Sequence, residues 1–413
     1  MVSSFNRIAS GQFSRRSLSF RKPRVFITMP CKCWFSLSVN GFIAFCSLVS
    51  FSSIIICVCL IFFPNPGHQN GVLELMDSTS ECDFFNGSWV LDETYPLYNS
   101  SECPFAERGF NCLVNGRRDR DYQKWRWKPR HCDLAQFDVH SILGMLRGKR
   151  VVFVGDSMSR TQWESMICLL MTGVEDKKTV YEVNRNKITK QIRFLGVRFS
   201  SFNFTIEFFR SVFLVRPGKP PRHTPKRVQS AVKLDVMDDF NKRWIDSDVL
   251  IFNSGQWWTP GKLFKAGYYF QVNGTLKLGM PIDIAFRTAM STWASWVKTS
   301  INTNRTHVFF RTFEPSHWSS SDRKFCKVTR YPMTKTSVKG YSVFSDIVSE
   351  VAADVKVPVT VLRVTYMSAL RSDAHVGKWS DTPSVLDCSH WCLPGVPDAW
   401  NELLFSYISA KFA

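Results

Sequence analysis

From residue 148 onward, short apolar runs alternate with longer stretches of mixed polarity, and this rhythm predicts strands that alternate with helices. The runs Arg150 to Val154, Gln191 to Phe199, Thr205 to Val215, Asp248 to Phe252, His307 to Thr312 and Val359 to Val364 read as strands. Ser159 to Leu170, Ile282 to Ser300, Tyr341 to Ala353 and Pro397 to Phe412 read as helices. Val151-Val152-Phe153-Val154 lacks polar alternation, as expected of a parallel strand covered on both faces. The pattern predicts a doubly wound α/β fold with a mostly parallel sheet and one antiparallel insertion around residues 190 to 215.

Upstream the pattern changes. Residues 81 to 137 carry four cysteines, three tryptophans and little periodicity, which predicts a disulfide-tied cap on a main domain spanning 138 to 413. Gly41 to Phe63 is a run of 23 mostly apolar residues. At about 1.5 Å per residue it is long enough to cross a bilayer. Seven basic residues and no acidic one precede it, so residues 1 to 40 are expected in the cytosol and everything after Pro64 in a lumen or outside the cell. Phe62-Phe63-Pro64-Asn65-Pro66 offers no small-residue cleavage site, which favours an uncleaved signal anchor over a cleaved signal peptide. Residues 64 to 80 read as a polar stem.

Composition supports a lumenal body. The 413 residues are 45% hydrophobic, enough for a large buried core. Asn86, Asn99, Asn203, Asn273 and Asn304 each open a glycosylation triplet. Outside the anchor region stand Cys82, Cys103, Cys112, Cys132, Cys168, Cys326, Cys388 and Cys392, an even set that suits a disulfide framework in an oxidising compartment. The net charge is +19, and removing the seven amino-terminal basic residues leaves +12 on the body. A lumenal body does not meet nucleic acid, so an acidic polymer is the partner this charge suggests. The basic, proline-rich stretch from Arg216 to Arg227 reads as a solvated excursion or as a contact with such a polymer, for example pectin.

Two short motifs carry the chemistry. Gly155-Asp156-Ser157 directly follows the first buried run, placing a serine where a strand's carboxyl end meets a helix amino end and backbone N–H groups face a ligand. The alternative is an ordinary helix start capped by Asp156 or Ser157. Asp387 precedes His390 by three residues, a spacing that lets a carboxylate hold an imidazole as a general base. Glu314 and His317 share that spacing, so the residues alone do not choose between the two histidines. Cys388, His390 and Cys392 also suggest zinc, a reading set aside because no second Cys pair accompanies them and lumenal cysteines are oxidised.

Together these motifs resemble the plant trichome birefringence-like family, which acetylates cell-wall polysaccharides and belongs to the broader Gly-Asp-Ser-Leu esterase and lipase-like group. The likeness spans residues 81 to 413 and includes the stretches Cys82 to Trp89, Asn253-Ser254-Gly255-Gln256-Trp257-Trp258 and Trp391 to Leu404. It implies an SGNH-hydrolase-like fold, a triad of Ser157, Asp387 and His390, and the pairs Cys82 with Cys132, Cys103 with Cys168, Cys112 with Cys392 and Cys326 with Cys388. The wider group uses an Asn and a Gly as oxyanion donors. Asn253 and Gly255 are assigned here beside the Ser157 N–H.

The resemblance further implies a single-pass Golgi membrane protein with a lumenal catalytic body. Its expected reaction is O-acetyl transfer through an acetyl-serine, with an acetyl donor such as acetyl-CoA as co-substrate, no bound cofactor and no metal. The expected acceptor is xylan, mannan, xyloglucan or pectin. A polysaccharide acetylesterase and a catalytically silent polysaccharide-binding protein are the alternatives. Arg160 is a candidate for binding charge on a substrate or for pairing with a cap carboxylate, and Trp257, Trp258 and Trp391 for stacking on sugar faces or for packing. The chain departs from the family at Gln256, where members commonly have His, and at Thr161, where Asn is frequent.

Overall fold

The computed structural model describes residues 82–412 apart from 320–323, 335–341 and 357. The expected tail, membrane span and stem lie outside the described residues. In chain order the strands are β1 (Gly87–Leu91), β2 (Trp125–Pro129), β3 (Arg150–Gly155), β4 (Val180–Glu182), β5 (Phe194–Phe199), β6 (Phe204–Arg210), β7 (Val215–Gly218) and β8 (Ser230–Met237). They continue as β9 (Val249–Asn253), β10 (Tyr268–Val272), β11 (Thr275–Lys277), β12 (His307–Arg311), β13 (Val359–Leu362), β14 (His375–Gly377) and β15 (Asp387–Trp391). The helices are α1 (Val139–Met145), α2 (Ser157–Met171), α3 (Ile282–Ser300), α4 (Val343–Asp354), α5 (Thr365–Ala369) and α6 (Val396–Phe412).

Seven strands form the central sheet in the order β13-β12-β9-β3-β6-β5-β4. The first five are mutually parallel, and β5 and β4 extend the edge antiparallel. Successive side chains point to opposite faces, so each strand feeds two cores. Val151, Phe153, Ile251 and Phe309 pack with α2 and α6; Val152, Val154, Phe252 and Phe310 pack with α3 and α4. Helix α2 is buried on nearly all sides, which explains its lack of a polar stripe. Because β6 and β9 flank β3 on opposite sides, the chain order reverses at β3. The carboxyl end of β3 is therefore the crevice where such sheets bind ligands.

The structure corrects three expectations. Thr205 to Val215 divides into β6 and β7, since the chain turns over Ser211 to Leu214, where the Leu214 N–H donates to Ser211 O at 3.3 Å and Leu214 takes φ 62°. Only β4 and β5 are thus the antiparallel extension. A second sheet, β11-β10-β8-β7, was not legible because its strands mix Lys233, Asp235 and Gln271 with apolar residues. The Asp387 to His390 motif, outside every strand that the apolar pattern predicts, lies on β15, which pairs antiparallel with β14 through an irregular register.

All four pairings that the resemblance implies are present: Cys82–Cys132, Cys103–Cys168, Cys112–Cys392 and Cys326–Cys388. Cys103 ties the segment before α1 to α2, and Cys112 ties it to the residue that follows β15. Trp89 and Trp127 stand opposite each other across β1 and β2, with rings 5.6 Å apart. The indole of Trp89 donates to Met367 O at 2.8 Å, anchoring this hairpin on the main body. The five glycosylation-triplet asparagines are all exposed.

Candidate active site

Ser157 is the first residue of α2, two positions earlier than the apolar pattern predicts. Asp156 caps the helix, its Oδ1 accepting from the Met158 N–H at 2.9 Å. The Asp156 N–H in turn donates to Asn253 Oδ1 at 3.2 Å, joining the ends of β3 and β9. Gly155 allows this approach. A Cβ there would lie 2.3 Å from Asn253 Oδ1 and 2.7 Å from its backbone oxygen.

From the other end of the chain, β15 brings His390 to the serine. His390 Nε2 lies 2.7 Å from Ser157 Oγ, and His390 Nδ1 lies 2.7 Å from Asp387 Oδ2. Neighbouring side chains of a regular strand alternate, so an i, i+3 contact needs an irregularity. The register shift in β15 supplies it, and Asp387 Oδ1 locks it by accepting the Ser389 and His390 N–H groups at 3.0 and 2.9 Å. Burial raises the Asp387 pKa, but the His390 charge and hydrogen bond and the two N–H donors outweigh it, holding the carboxyl well below its usual range. An ionised carboxylate only accepts, so the Nδ1 proton faces Asp387 and Nε2 is left to accept from the serine hydroxyl. Phe110 packs 5.2 Å from the imidazole, and the Cys112–Cys392 and Cys326–Cys388 bonds pin β15 at both sides of His390.

The rival base is elsewhere. His317 is buried, with Nδ1 2.6 Å from His375 Nε2 and Nε2 2.8 Å from Ala369 O. Burial pushes its pKa down. Glu314 pairs with Arg311 at 3.1 Å, both fully buried, rather than with His317. Gln256, the departure from the family pattern, is also buried and donates to Glu314 O at 2.6 Å, so it holds a backbone segment and does not line the cleft.

Ser157, Asp387 and His390 open on a cleft of about 440 Å³, also lined by Glu107, Phe110, Arg160, Lys190, Arg210, Trp257, Lys262 and Asp381. Arg160 reaches the cleft, but its guanidinium is engaged by Glu107 and by Glu164, the latter at 2.7 Å. Trp257 is half-buried and lines the wall. Trp258 and Trp391 do not: they are 1% and 0% exposed. Trp258 packs among Phe213, Phe270 and Phe286 and donates to Ser254 Oγ, while Trp391 stacks on His375 and donates to Arg371 O. Both therefore belong to the core, a correction to the sugar-stacking expectation.

Asn253 is 1% exposed, and its Nδ2 has no hydrogen-bond partner among the described residues. Gly255 adopts φ 149°, and a Cβ there would meet the Phe313 ring at 2.6 Å. Neither lines the cleft directly. No residue of the basic stretch 216–227 lines it: the cleft's cations are Arg160, Lys190, Arg210 and Lys262. Sequence reading missed Lys190, Arg210 and Lys262. Arg210 had a signal, a charged residue closing an apolar strand. Cys388 and Cys392, considered as zinc ligands, are both disulfide-bonded.

A family model described as a GDSL/SGNH-like acyl-esterase family found in Pmr5 and Cas1p matches residues 134–407, and a PMR5 N-terminal domain model matches 80–133. The chain is 59% identical to trichome birefringence-like 7 of Arabidopsis thaliana over 369 residues, covering 88% of this chain and 82% of that protein. It is 40% identical to trichome birefringence-like 6 of the same plant, over 80% of this chain and 71% of that protein. With trichome birefringence-like 9 the identity is 36%, over 88% and 91%. A serine, histidine and aspartate in hydrogen-bond sequence at the sheet's switch point, joined to these matches, make the chain an acyl-modifying enzyme that belongs to the trichome birefringence-like proteins of the GDSL/SGNH-like acyl-esterase family.

Proposed function

We propose that this protein is a polysaccharide O-acetyltransferase working through an acetyl-serine. The observation that carries the reading is the 2.7 Å chain from Ser157 Oγ through His390 to Asp387, opening on the cleft. Ser157 Oγ attacks the acetyl carbonyl of the donor while His390 Nε2 takes its proton, and Asp387 stabilises the imidazolium. The Ser157 N–H at the amino end of α2 receives the developing oxyanion, and the Gly255 N–H and Asn253 Nδ2, which lie behind the cleft wall, are the further donors of this reading. His390 then protonates the donor's leaving group. In the second half, His390 deprotonates a sugar hydroxyl, which attacks the acetyl-serine, and the proton returns to Ser157 as the new ester departs. Trp257 offers a ring face to the sugar.

The acceptor is a cell-wall polysaccharide, the donor acetyl-CoA or another acetyl carrier, and the workplace the Golgi lumen, behind an amino-terminal anchor. Four disulfides and five exposed glycosylation triplets suit that compartment. The test incubates the purified full-length chain with acetyl-CoA or a small acetyl ester and fragments of xylan, mannan, xyloglucan and pectin, with mass detection of both protein and saccharide. Transient acetylation of Ser157 followed by an acetylated fragment is expected. Acetate release without an acetylated saccharide, or removal of acetyl from acetylated fragments, would replace transferase by esterase. Unchanged sugar and unmodified serine would refute the acyl-enzyme route.

A further inference from the structure

Beside Ser157 the cleft wall gathers several cations within reach of a reactant. Arg160, Lys190, Arg210 and Lys262 face Glu107, Asp381 and Asp387. Two of those carboxylates are already engaged, Glu107 by Arg160 and Asp387 by His390. Asp381 is exposed, with Thr382 Oγ1 at 3.4 Å.

Arg210 closes β6 directly opposite Gly155, two residues before the serine. Its guanidinium makes no ion pair among the described residues. It reaches Lys190 O only at 3.5 Å and lies 5.6 Å from the Trp257 ring. Burial, then repulsion from Arg160 and Arg193, lower its pKa against the weaker opposing effects of Tyr268 and Asp156. A half-buried guanidinium without an ion pair is costly, and an anion bound against it offsets that cost. Its planar fork matches carboxylate and phosphate alike. Lys190, exposed on the same wall and likewise without an ion pair, adds a second positive charge.

We propose that Arg210, with Lys190, forms an anion subsite of the cleft for an oxyanion carried by one reactant: the carboxylate of a uronosyl unit in the acceptor, or a phosphate of the acyl donor. Trp257 beside it, with Lys262 Nζ 5.5 Å from its ring, is the stacking face for the sugar or base bearing that anion. The identity of the reactants rests on the transferase reading, but binding tests the subsite without any acyl transfer.

The experiment is calorimetric titration of the full-length chain, made inert by Ser157→Ala, with an oligogalacturonide, a neutral xylo-oligosaccharide and coenzyme A. One anionic probe is expected to bind with affinity that falls as salt rises. Arg210→Gln is expected to weaken it about tenfold, Arg210→Lys less, with the neutral probe unaffected. Lys190→Gln, an exposed change that leaves the fold intact, is expected to weaken it by about threefold. Response of the oligogalacturonide assigns the subsite to the acceptor, and response of coenzyme A assigns it to the donor. Failure of both anions to bind, equal losses for neutral and anionic probes, or unchanged anion affinity in both variants would overturn the proposal. Arg210-dependent binding without acetyl transfer in the assay above would retain the subsite and reject the transferase.

Discussion

Asp387→Asn tests the geometry more sharply than deletion of the carboxylate does. In the native site Asp387 Oδ1 accepts two backbone N–H groups, from Ser389 at 3.0 Å and His390 at 2.9 Å, while Oδ2 faces His390 Nδ1 at 2.7 Å. An amide has one acceptor oxygen, and those two donors fix where it must point. The NH₂ group then faces Nδ1 and makes it an acceptor, so the ring proton moves to Nε2 and confronts the Ser157 hydroxyl with a donor. The base is thereby disabled without any movement of the backbone. Loss of the correct tautomer in a serine triad lowers kcat by about 10⁴, or roughly 5.5 kcal/mol of transition-state stabilisation.

Asp387→Ala, by contrast, frees the ring to choose its tautomer. It also leaves the Ser389 and His390 N–H groups without their acceptor, so it is expected to lose stability along with activity, whereas Asp387→Asn loses activity at near-native stability. The assay is the steady-state hydrolysis of a small acetyl ester, with thermal denaturation to show that both variants fold. An Asp387→Asn enzyme with more than about a tenth of native kcat, a loss of only ~1.4 kcal/mol, would refute the reasoning.

Three further outcomes are expected. Trp258→Ala empties a fully buried site and is expected to lower stability by about 3–5 kcal/mol in denaturant titration, whereas Trp257→Ala, half-buried on the cleft wall, is expected to raise KM for saccharide with little change in melting. Removing the Cys326–Cys388 bond by paired alanines is expected to reduce stability by roughly 2–5 kcal/mol and to lower kcat more than KM changes, because Cys388 stands two residues before His390 on β15. Burial pushes the Glu164 carboxyl up to about 8, against the lowering effect of Arg160. The folded state thus keeps a proton that the unfolded chain releases at lower pH. Stability is full below the unfolded pKa and falls as pH rises to about 8, on the order of 1 kcal/mol per pH unit, and Glu164→Gln is expected to flatten that limb of a pH-resolved denaturation series.

What the sequence showed and what it hid differ in physical kind. Gly155-Asp156-Ser157 was legible because sterics restrict it: no Cβ fits against Asn253, and Asp156 must cap. The parallel strands were legible because burial on both faces leaves uninterrupted apolar runs. His390 and His317 were indistinguishable by local spacing, and only the family resemblance preferred His390; the fold places His390 against Ser157 and buries His317 beside His375. Trp257 and Trp258 are adjacent and alike in sequence, yet one lines the cleft and the other lies in the core, a distinction set by packing partners distant in the chain. The basic stretch 216–227 is contiguous and so conspicuous in sequence, whereas Lys190, Arg210 and Lys262 are scattered along the chain and gathered only by the fold.

Transferase and esterase share a first step and part at the second, where water and sugar compete for the same acetyl-serine. His390 serves either nucleophile equally, so the triad does not decide the outcome. Positioning does, because a hydroxyl held in line with an ester reaches an effective molarity of about 10⁵–10⁸ M, far above that of bulk water. A sugar seated on Trp257 and held by an anion contact at Arg210 would therefore outcompete water with no change in the catalytic residues. Variants at these two positions are accordingly expected to shift products from acetylated saccharide toward free acetate while the rate of serine acetylation stays the same, provided the anion that Arg210 binds belongs to the acceptor. If it belongs to the donor, Arg210→Gln slows serine acetylation itself, and the transfer-to-hydrolysis ratio is unchanged.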